Sequence, residues 1–219
     1  MSKPLVVAID GPSGSGKSST SRGVADRLSL AYLDTGAMYR AMTWALLERG
    51  VDLEDPRAIA AAAGDVRLTS GTDPLDPTIH VDGTDVAEPI RSSEVTSAVS
   101  LVAAVPEVRD MLVDLQRETI AQSAGIVVEG RDIGSTVAPD APVKIYLVAD
   151  AAARAARRAA ETGEADTAAT ELALARRDEI DSTRAASPLA KAEGAVVVDG
   201  THLTLEEVID TIVGIVDAR

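Results

Sequence analysis

The residues best suited to chemistry lie near the start of the chain, in the stretch Gly11-Pro12-Ser13-Gly14-Ser15-Gly16-Lys17-Ser18. They satisfy G-x-x-x-x-G-K-[ST], the pattern of a phosphate-binding loop, or P-loop. The glycines let the backbone wrap tightly enough for its N–H groups to converge on phosphate oxygens. The helix expected next adds its positive N-terminal end to that cradle. Lys17 has the reach for β- and γ-phosphates, and the Ser18 hydroxyl can ligate Mg²⁺. Such a loop needs a strand before it and a helix after it. Residues 5–9, Leu-Val-Val-Ala-Ile, form a continuous apolar run of the kind that makes a buried strand. Residues 17–29 place Val24, Ala25 and Leu28 at helical spacing.

A P-loop binds a nucleotide without specifying a reaction. Arginines recur where strands should end or loops begin: Arg40, Arg109, Arg131, Arg177 and Arg184. A guanidinium grips phosphate with a bidentate fork. Several forks around one point would hold a second phosphorylated substrate and offset the repulsion between two phosphate groups. Taken singly, each is equally readable as ordinary surface arginine. His80 and His202 have no partner spacing and read as structural or surface residues. No Ser/His/Asp set presents itself, and phosphoryl transfer needs none, because positioning and charge neutralisation carry it.

Composition narrows the classes. The chain has 219 residues, 46% of them hydrophobic, which is enough for one α/β domain with a sizeable core. It has no Phe, one Trp and three Tyr, so the core must be Val, Ile, Leu and Ala, and stacking platforms for nucleic acid are scarce. A net charge of −14 argues against duplex binding, which needs positive surfaces. With no Cys, disulfides and thiolate metal sites are excluded. No apolar run approaches the length of a membrane span, and the chain enters a strand at once, so a cytoplasmic location is expected.

The remaining elements must position these groups. Residues 31–33 read as a second strand, and Asp34 or Thr35 can cap a helix running to about residue 49. Its stripe Met38, Met42, Ala45 and Leu46 reads as core. Residues 64–91 change character: strands at 66–70, 78–82 and 84–87, with Asp82-Gly83 as a hairpin turn, form a small β insertion. Helices follow at 92–104 and 106–123, with Pro106 in the first turn of the second. Residues 126–129 and 143–148 are further buried strands. The Ala-, Arg- and Glu-rich stretch 151–178, interrupted around Thr162-Gly163, reads as two helices with a tip between them. A last strand at 195–198 and a helix at 205–216 close the chain. The alternation predicts an α/β fold with a doubly wound parallel sheet.

Four stretches, taken together and in this order, resemble bacterial cytidylate kinase, within the nucleoside monophosphate kinases. They are the P-loop from Asp10 to Ser18, Asp34-Thr35-Gly36-Ala37-Met38-Tyr39-Arg40, Gly130-Arg131-Asp132-Ile133-Gly134, and Arg184-Ala185-Ala186-Ser187-Pro188-Leu189. The resemblance covers nearly the whole chain. It implies a single P-loop kinase domain over 1–219, with a nucleoside monophosphate-binding subdomain at about 36–104 that includes the β insertion, and a helical lid at about 151–185. It implies a reaction, ATP with CMP or dCMP giving ADP with CDP or dCDP, with Mg²⁺, in pyrimidine nucleotide metabolism. It also implies an active site within one chain, hence a monomer.

By position, the resemblance assigns Gly11, Pro12, Ser13, Gly14, Ser15, Gly16, Lys17, Ser18 and Thr20 to ATP, with Arg154, Arg157 and Arg158 as contacts of its phosphates. Which of those three arginines reaches ATP stays open. It assigns Arg40, Arg131 and Arg177 to the CMP phosphate and, with Lys17, to catalysis. Thr35, Ser100, Arg109, Asp132 and Arg184 fall where the family reads cytosine, and Tyr39 and Asp181 where it meets the sugar. Thr35 differs by one methyl from the serine often found there and keeps the hydroxyl. Glu129 sits where related sequences often carry Asp, which weakens a role for it behind the Mg²⁺ ligands.

Chemistry supports the Asp132 assignment independently. A carboxylate accepts from the cytosine 4-amino group, whereas UMP would set a carbonyl oxygen against the negative charge. The competing reading of Asp132 is a helix cap. Other small-substrate P-loop kinases, for shikimate, uridylate or adenylate, fit the stretches at 130–134 and 184–189 less well. A GTPase switch would be expected to carry Asn-Lys-x-Asp late in the chain, and none occurs.

Overall fold

The computed structural model describes residues 4–162, 166–184 and 187–219. Gly163, at the expected tip between the two helices, and Ala185 and Ala186 of the fourth family stretch lie outside the described residues.

The apolar runs form a five-stranded parallel sheet, built from β1 (Leu5–Asp10), β2 (Ala31–Asp34), β6 (Gly125–Gly130), β7 (Val143–Val148) and β8 (Val196–Asp199) in the order β2-β6-β1-β7-β8. Helices cover both faces. One face is closed by α2 (Thr35–Glu48), α4 (Ser93–Ala103) and α5 (Pro106–Gln122) over Val6, Ala8, Leu33, Ile126 and Val128. The other is closed by α1 (Lys17–Arg27) and α8 (Leu205–Asp217) over Val7, Ile9, Val127, Ile145 and Leu147. The alternation of side chains along each strand feeds one core on each side, which is why these runs are apolar without interruption. Met38, Met42, Ala45 and Leu46 are all buried, the core stripe expected of α2.

Asp34 caps α2, its carboxylate accepting from Ala37 N–H. The insertion is a three-stranded antiparallel sheet, β3 (Leu68–Ser70), β4 (Ile79–Val81) and β5 (Thr84–Asp85), shorter at its ends than the sequence predicts. Asp82 and Gly83 both have positive φ, 50° and 83°, as a two-residue hairpin turn of the right hand requires. Pro106 opens α5. The Ala-rich stretch is α6 (Ala151–Thr162) and α7 (Thr167–Thr183), the latter running past the expected end at 178. A short helix, α3 (Pro56–Ala63), capped by Asp55 and opened by Pro56, occupies a stretch for which the sequence yields no element.

One interaction ties the P-loop to the segment after β6. Asp10 ends β1 and lies opposite Gly130 in the parallel register. Its two carboxylate oxygens accept separately from Ile133 N–H and Gly134 N–H, each at 2.8 Å. Those donors open a single π-helical turn, Ile133–Val137. Burial pushes the Asp10 carboxyl up to about 6, with the two backbone donors pulling the other way. Asparagine offers one oxygen and would turn its amino group toward the other N–H. Asp10→Asn is therefore expected to lower unfolding free energy by about 1–3 kcal/mol, the cost of an unsatisfied buried donor. Chemical denaturation measures this, and an unchanged midpoint would show that the tie is dispensable.

Candidate active site

A cavity of about 250 Å³ opens at the carboxyl ends of the parallel strands. This is where an open α/β sheet places its ligands. The P-loop forms one wall, α2 and α4 another, the end of β6 the floor, and α6 with α7 the roof. Among the described residues, seven basic side chains and four acidic ones line it, a local reversal of the sign of the whole chain.

On the P-loop side, Ser13, Gly14, Gly16, Lys17 and Ser18 line the cavity. Gly11, Pro12 and Ser15 stand behind that lining: a Cβ on Gly11 would overlap the Leu147 carbonyl of β7, so only glycine fits. Thr20 is buried within α1, its N–H donating to Gly16 O, and is not part of the cavity wall. Lys17 Nζ donates to Pro12 O at 2.8 Å. Burial pushes the Lys17 ammonium down, and Arg131 adds to the effect.

Beneath it, Ser18 Oγ donates to Glu129 Oε2 at 3.1 Å, and Tyr32 Oη donates to the other carboxylate oxygen. Burial, with Asp34 nearby, pushes the Glu129 carboxyl up. Glu129 therefore stands directly behind the Ser18 hydroxyl, a placement that its departure from the family's Asp did not suggest. A hydroxyl beside a carboxylate is the hard-oxygen donor set that suits Mg²⁺. Among the described residues no cluster of three or more His, Cys, Asp or Glu could hold a metal, so most of its ligands would have to be phosphate oxygens and water.

Asp132 does not cap the turn that follows it, because its side chain makes no capping hydrogen bond. It pairs instead with Arg109 Nη2 and lies 3.5 Å from Arg184 Nη2. Arg109 is buried behind it, stacked 5.5 Å from the Tyr39 ring centre, and does not reach the cavity lining. Asp132, Arg184, Tyr39, Thr35 and Ser100 do line it. Thr35 Oγ1 donates to Glu129 O at 2.7 Å, and Ser100 Oγ donates to Asp181 Oδ1 at 3.3 Å.

Arg40, Arg131, Arg158 and Arg177 converge between the two ends. Arg40 donates to Ile90 O at 3.2 Å and Thr96 Oγ1 at 2.8 Å. Burial, then the charges of Arg177 and Arg158, push its guanidinium down to about 9. Arg177 is likewise pushed down to about 10 by burial and Arg131, and its Nε is buried with no hydrogen-bond partner among the described residues. Buried guanidinium N–H groups facing one another call for an anion between them. Arg131 donates to Gly11 O and Ser13 Oγ, and its Nε lies 3.2 Å from Asp181.

The three arginines of α6 separate by position. Arg154 Nη1 donates to Ser13 O at 3.0 Å, and Arg157 donates to Ser15 O and Gly200 O, so both brace the P-loop from outside. Arg158 alone of the three lines the cavity. Asp10, Tyr32 and Asp178 also belong to the surroundings of the site; Asp10 stands in the first of the family stretches without a role assigned to it, and no motif or spacing in the sequence singles out Tyr32 or Asp178.

The family profile for cytidylate kinase matches residues 7–218. Two similar proteins are the cytidylate kinases of Streptomyces avermitilis, 59% identical over 98% of this chain and 94% of that protein, and Streptomyces coelicolor, 60% identical over the same shares. Among solved structures, a gluconokinase from Sinorhizobium meliloti superimposes with a TM-score of 0.51 at 16% identity, covering 100% of this chain and 95% of that one. That likeness speaks to the fold alone. The match over nearly the full length, with identity near 60%, shows that the chain belongs to the cytidylate kinase family.

Proposed function

We propose that this chain moves the γ-phosphoryl group of ATP to CMP or dCMP, giving ADP and CDP or dCDP. The observation that carries this is a single cavity with a P-loop at one end and, at the other, a carboxylate braced by two arginines. The distance between these ends is spanned by cations that suit two phosphate groups meeting between them.

ATP phosphates enter the P-loop, and Lys17 leaves Pro12 O for the β- and γ-oxygens. Arg158 faces the same oxygens from α6. The CMP phosphate lies among Arg40, Arg131 and Arg177. Its base turns the 4-amino group toward Asp132, with Arg184 beside it, and its sugar lies toward Tyr39, Ser100 and Asp181. A phosphate oxygen of CMP attacks the γ-phosphorus in line, and the bond to the β–γ bridging oxygen breaks, releasing ADP. Mg²⁺, held through Ser18 Oγ with Glu129 behind it, would neutralise charge on the β- and γ-oxygens. The residues act by placement and charge, with no covalent intermediate on the protein.

The moving parts are the insertion-bearing segment at about 36–104, which carries the CMP side, and the lid at about 151–185, which carries Arg158 and Arg177. Their closure excludes water, which would otherwise hydrolyse ATP. Every group named comes from one chain, so the reaction as drawn calls on no residue of a second copy, and a monomer suffices.

The direct assay is ADP formation from Mg·ATP with CMP, dCMP, UMP, AMP or shikimate in turn. Rapid turnover with CMP and dCMP and little with UMP is expected, and turnover with none would overturn the proposal. Lys17→Ala should lower kcat by about 100- to 1,000-fold, the scale of losing one preorganised charge donor, with a far smaller effect on CMP affinity. Equal loss in both would contradict its role in transfer. Asp132→Ala should cut the ratio of kcat/KM for CMP over UMP by about 10- to 100-fold, one charged hydrogen bond. Because Arg109 would lose its buried partner, the thermal midpoint is read alongside, and an unchanged ratio in folded protein would remove Asp132 from base recognition.

Proton linkage offers a further check. Burial lowers the Lys17 pKa in the free protein, so on the alkaline side of neutrality part of the population is neutral. Phosphate oxygens favour the charged form and raise that pKa again. Binding of ATP without Mg²⁺ should therefore take up protons at alkaline pH, seen by calorimetry in buffers of different ionisation enthalpy, and Lys17→Ala should abolish the uptake. Proton release by the wild-type protein would contradict this assignment.

A further inference from the structure

Asp178, on α7, has no place in the reaction as written, yet four segments meet at its carboxylate. Ser13 N–H of the P-loop donates to its Oδ1 at 2.9 Å. Arg131 Nη1, from the end of β6, approaches the same oxygen at 3.3 Å. Arg154 Nη1, from α6, pairs with Oδ2 and also donates to Ser13 O. The packing at this junction is close: a Cβ on Gly14 would lie 2.9 Å from Arg154 O and 3.2 Å from Leu174 of α7. The helical roof therefore rests on the phosphate loop itself, and among the described residues Asp178 is the carboxylate there that contacts loop, floor and roof together.

Its charge matters as much as its hydrogen bonds. Arg131 and Arg154 both point their guanidinium groups at Ser13, one to its Oγ and one to its carbonyl. Two cations aimed at one residue repel, and an anion between them removes that repulsion while fixing both directions. Asp178 is mostly buried, 17% exposed at the side chain, so this pairing is only partly screened by water.

We propose that Asp178 is a positioning residue for phosphoryl transfer: its carboxylate aligns Arg131 and Arg154 on the P-loop and holds the α6–α7 roof closed over the nucleotides. It touches no reacting atom. Without its charge, Arg131 is held only by Asp181, Gly11 O and Ser13 Oγ and turns away from its set direction, and the roof opens more readily to water. This rests on the kinase reaction proposed above, and wild-type turnover with CMP tests that reaction separately.

The experiment compares wild type, Asp178→Asn and Asp178→Ala. It measures kcat, KM for ATP and CMP, the thermal midpoint, and the fraction of ATP lost to water rather than transferred to CMP. Asn keeps an acceptor for Ser13 N–H and removes the charge. The expected result is a fall in kcat of about 100-fold in Asp178→Asn, the scale of a misplacement near 1 Å, with much smaller changes in KM. The fraction of ATP lost to water should rise in both variants. Wild-type-like kcat and hydrolysis fraction in folded Asp178→Asn would overturn the proposal. So would a loss of transfer and hydrolysis in proportion with a lowered thermal midpoint, which is the signature of a structural ion pair alone. Turnover absent from the wild type would instead overturn the kinase reaction.

Discussion

Two phosphate groups must be brought within bonding distance, and their mutual repulsion is the constraint on which the rest of this structure depends. The chain as a whole works against the solution, since its net charge of −14 repels nucleotides from most of its surface. The remedy is local. Basic side chains from α2, the end of β6, α6 and α7 turn inward to one cavity. Burial and crowding weigh against the charges of Arg40 and Arg177, and an arriving anion relieves both. The field is thus set before the ligand arrives, which is where electrostatic catalysis gains most.

Preorganisation of this kind requires that the cations do not collapse onto the nearest acid. Here Arg131, Arg184 and Arg40, with Arg109 and Arg154 behind them, are directed by carboxylate or carbonyl oxygens that are themselves fixed. Asp132 lies between Arg109 and Arg184, Asp181 between Arg131 and Arg184, and Asp178 between Arg131 and Arg154. Arg40 is anchored on Ile90 O and Thr96. Buried charges that are paired and hydrogen-bonded survive burial, whereas the same charges left alone would shift or disorder.

The parallel sheet makes this arrangement possible. β1 and β6 are neighbours, so the P-loop and the Gly130-Arg131-Asp132 segment leave the sheet side by side, with Asp10 tying one to the other. On the outer edge, β2 is extended by the loop of the insertion: Tyr32 N–H donates to Thr72 O, and Arg22 donates to Pro74 O and Leu75 O. The β insertion is therefore not a free appendage. It is stitched to the same strand whose Tyr32 steadies Glu129 behind Ser18.

The sequence by itself determined the α/β alternation, the buried strands, the cap at Asp34, the hairpin at Asp82-Gly83 and the P-loop. Each of these is encoded by local periodicity or turn chemistry within a few residues. It missed α3, although the Asp55 cap, Pro56 in the first turn and the buried pair Ile59 and Ala63 four residues apart mark it, and the π-helical turn after Asp132, whose leading N–H groups bond to a carboxylate more than 120 residues away. The residues lining the cavity were largely legible, because a family's motifs mark them. What braces them was not: the roles of Asp10, Tyr32 and Asp178 run through partners far along the chain, and only the folded register brings them together. Tertiary structure alone separated Arg158, inside the cavity, from Arg154 and Arg157, outside it. It alone set Arg109 behind Asp132 as its buried partner and removed the competing reading of Asp132 as a cap. The physical reason is common to all of these: a side chain's type is local, whereas its direction and its partner are properties of the packed core.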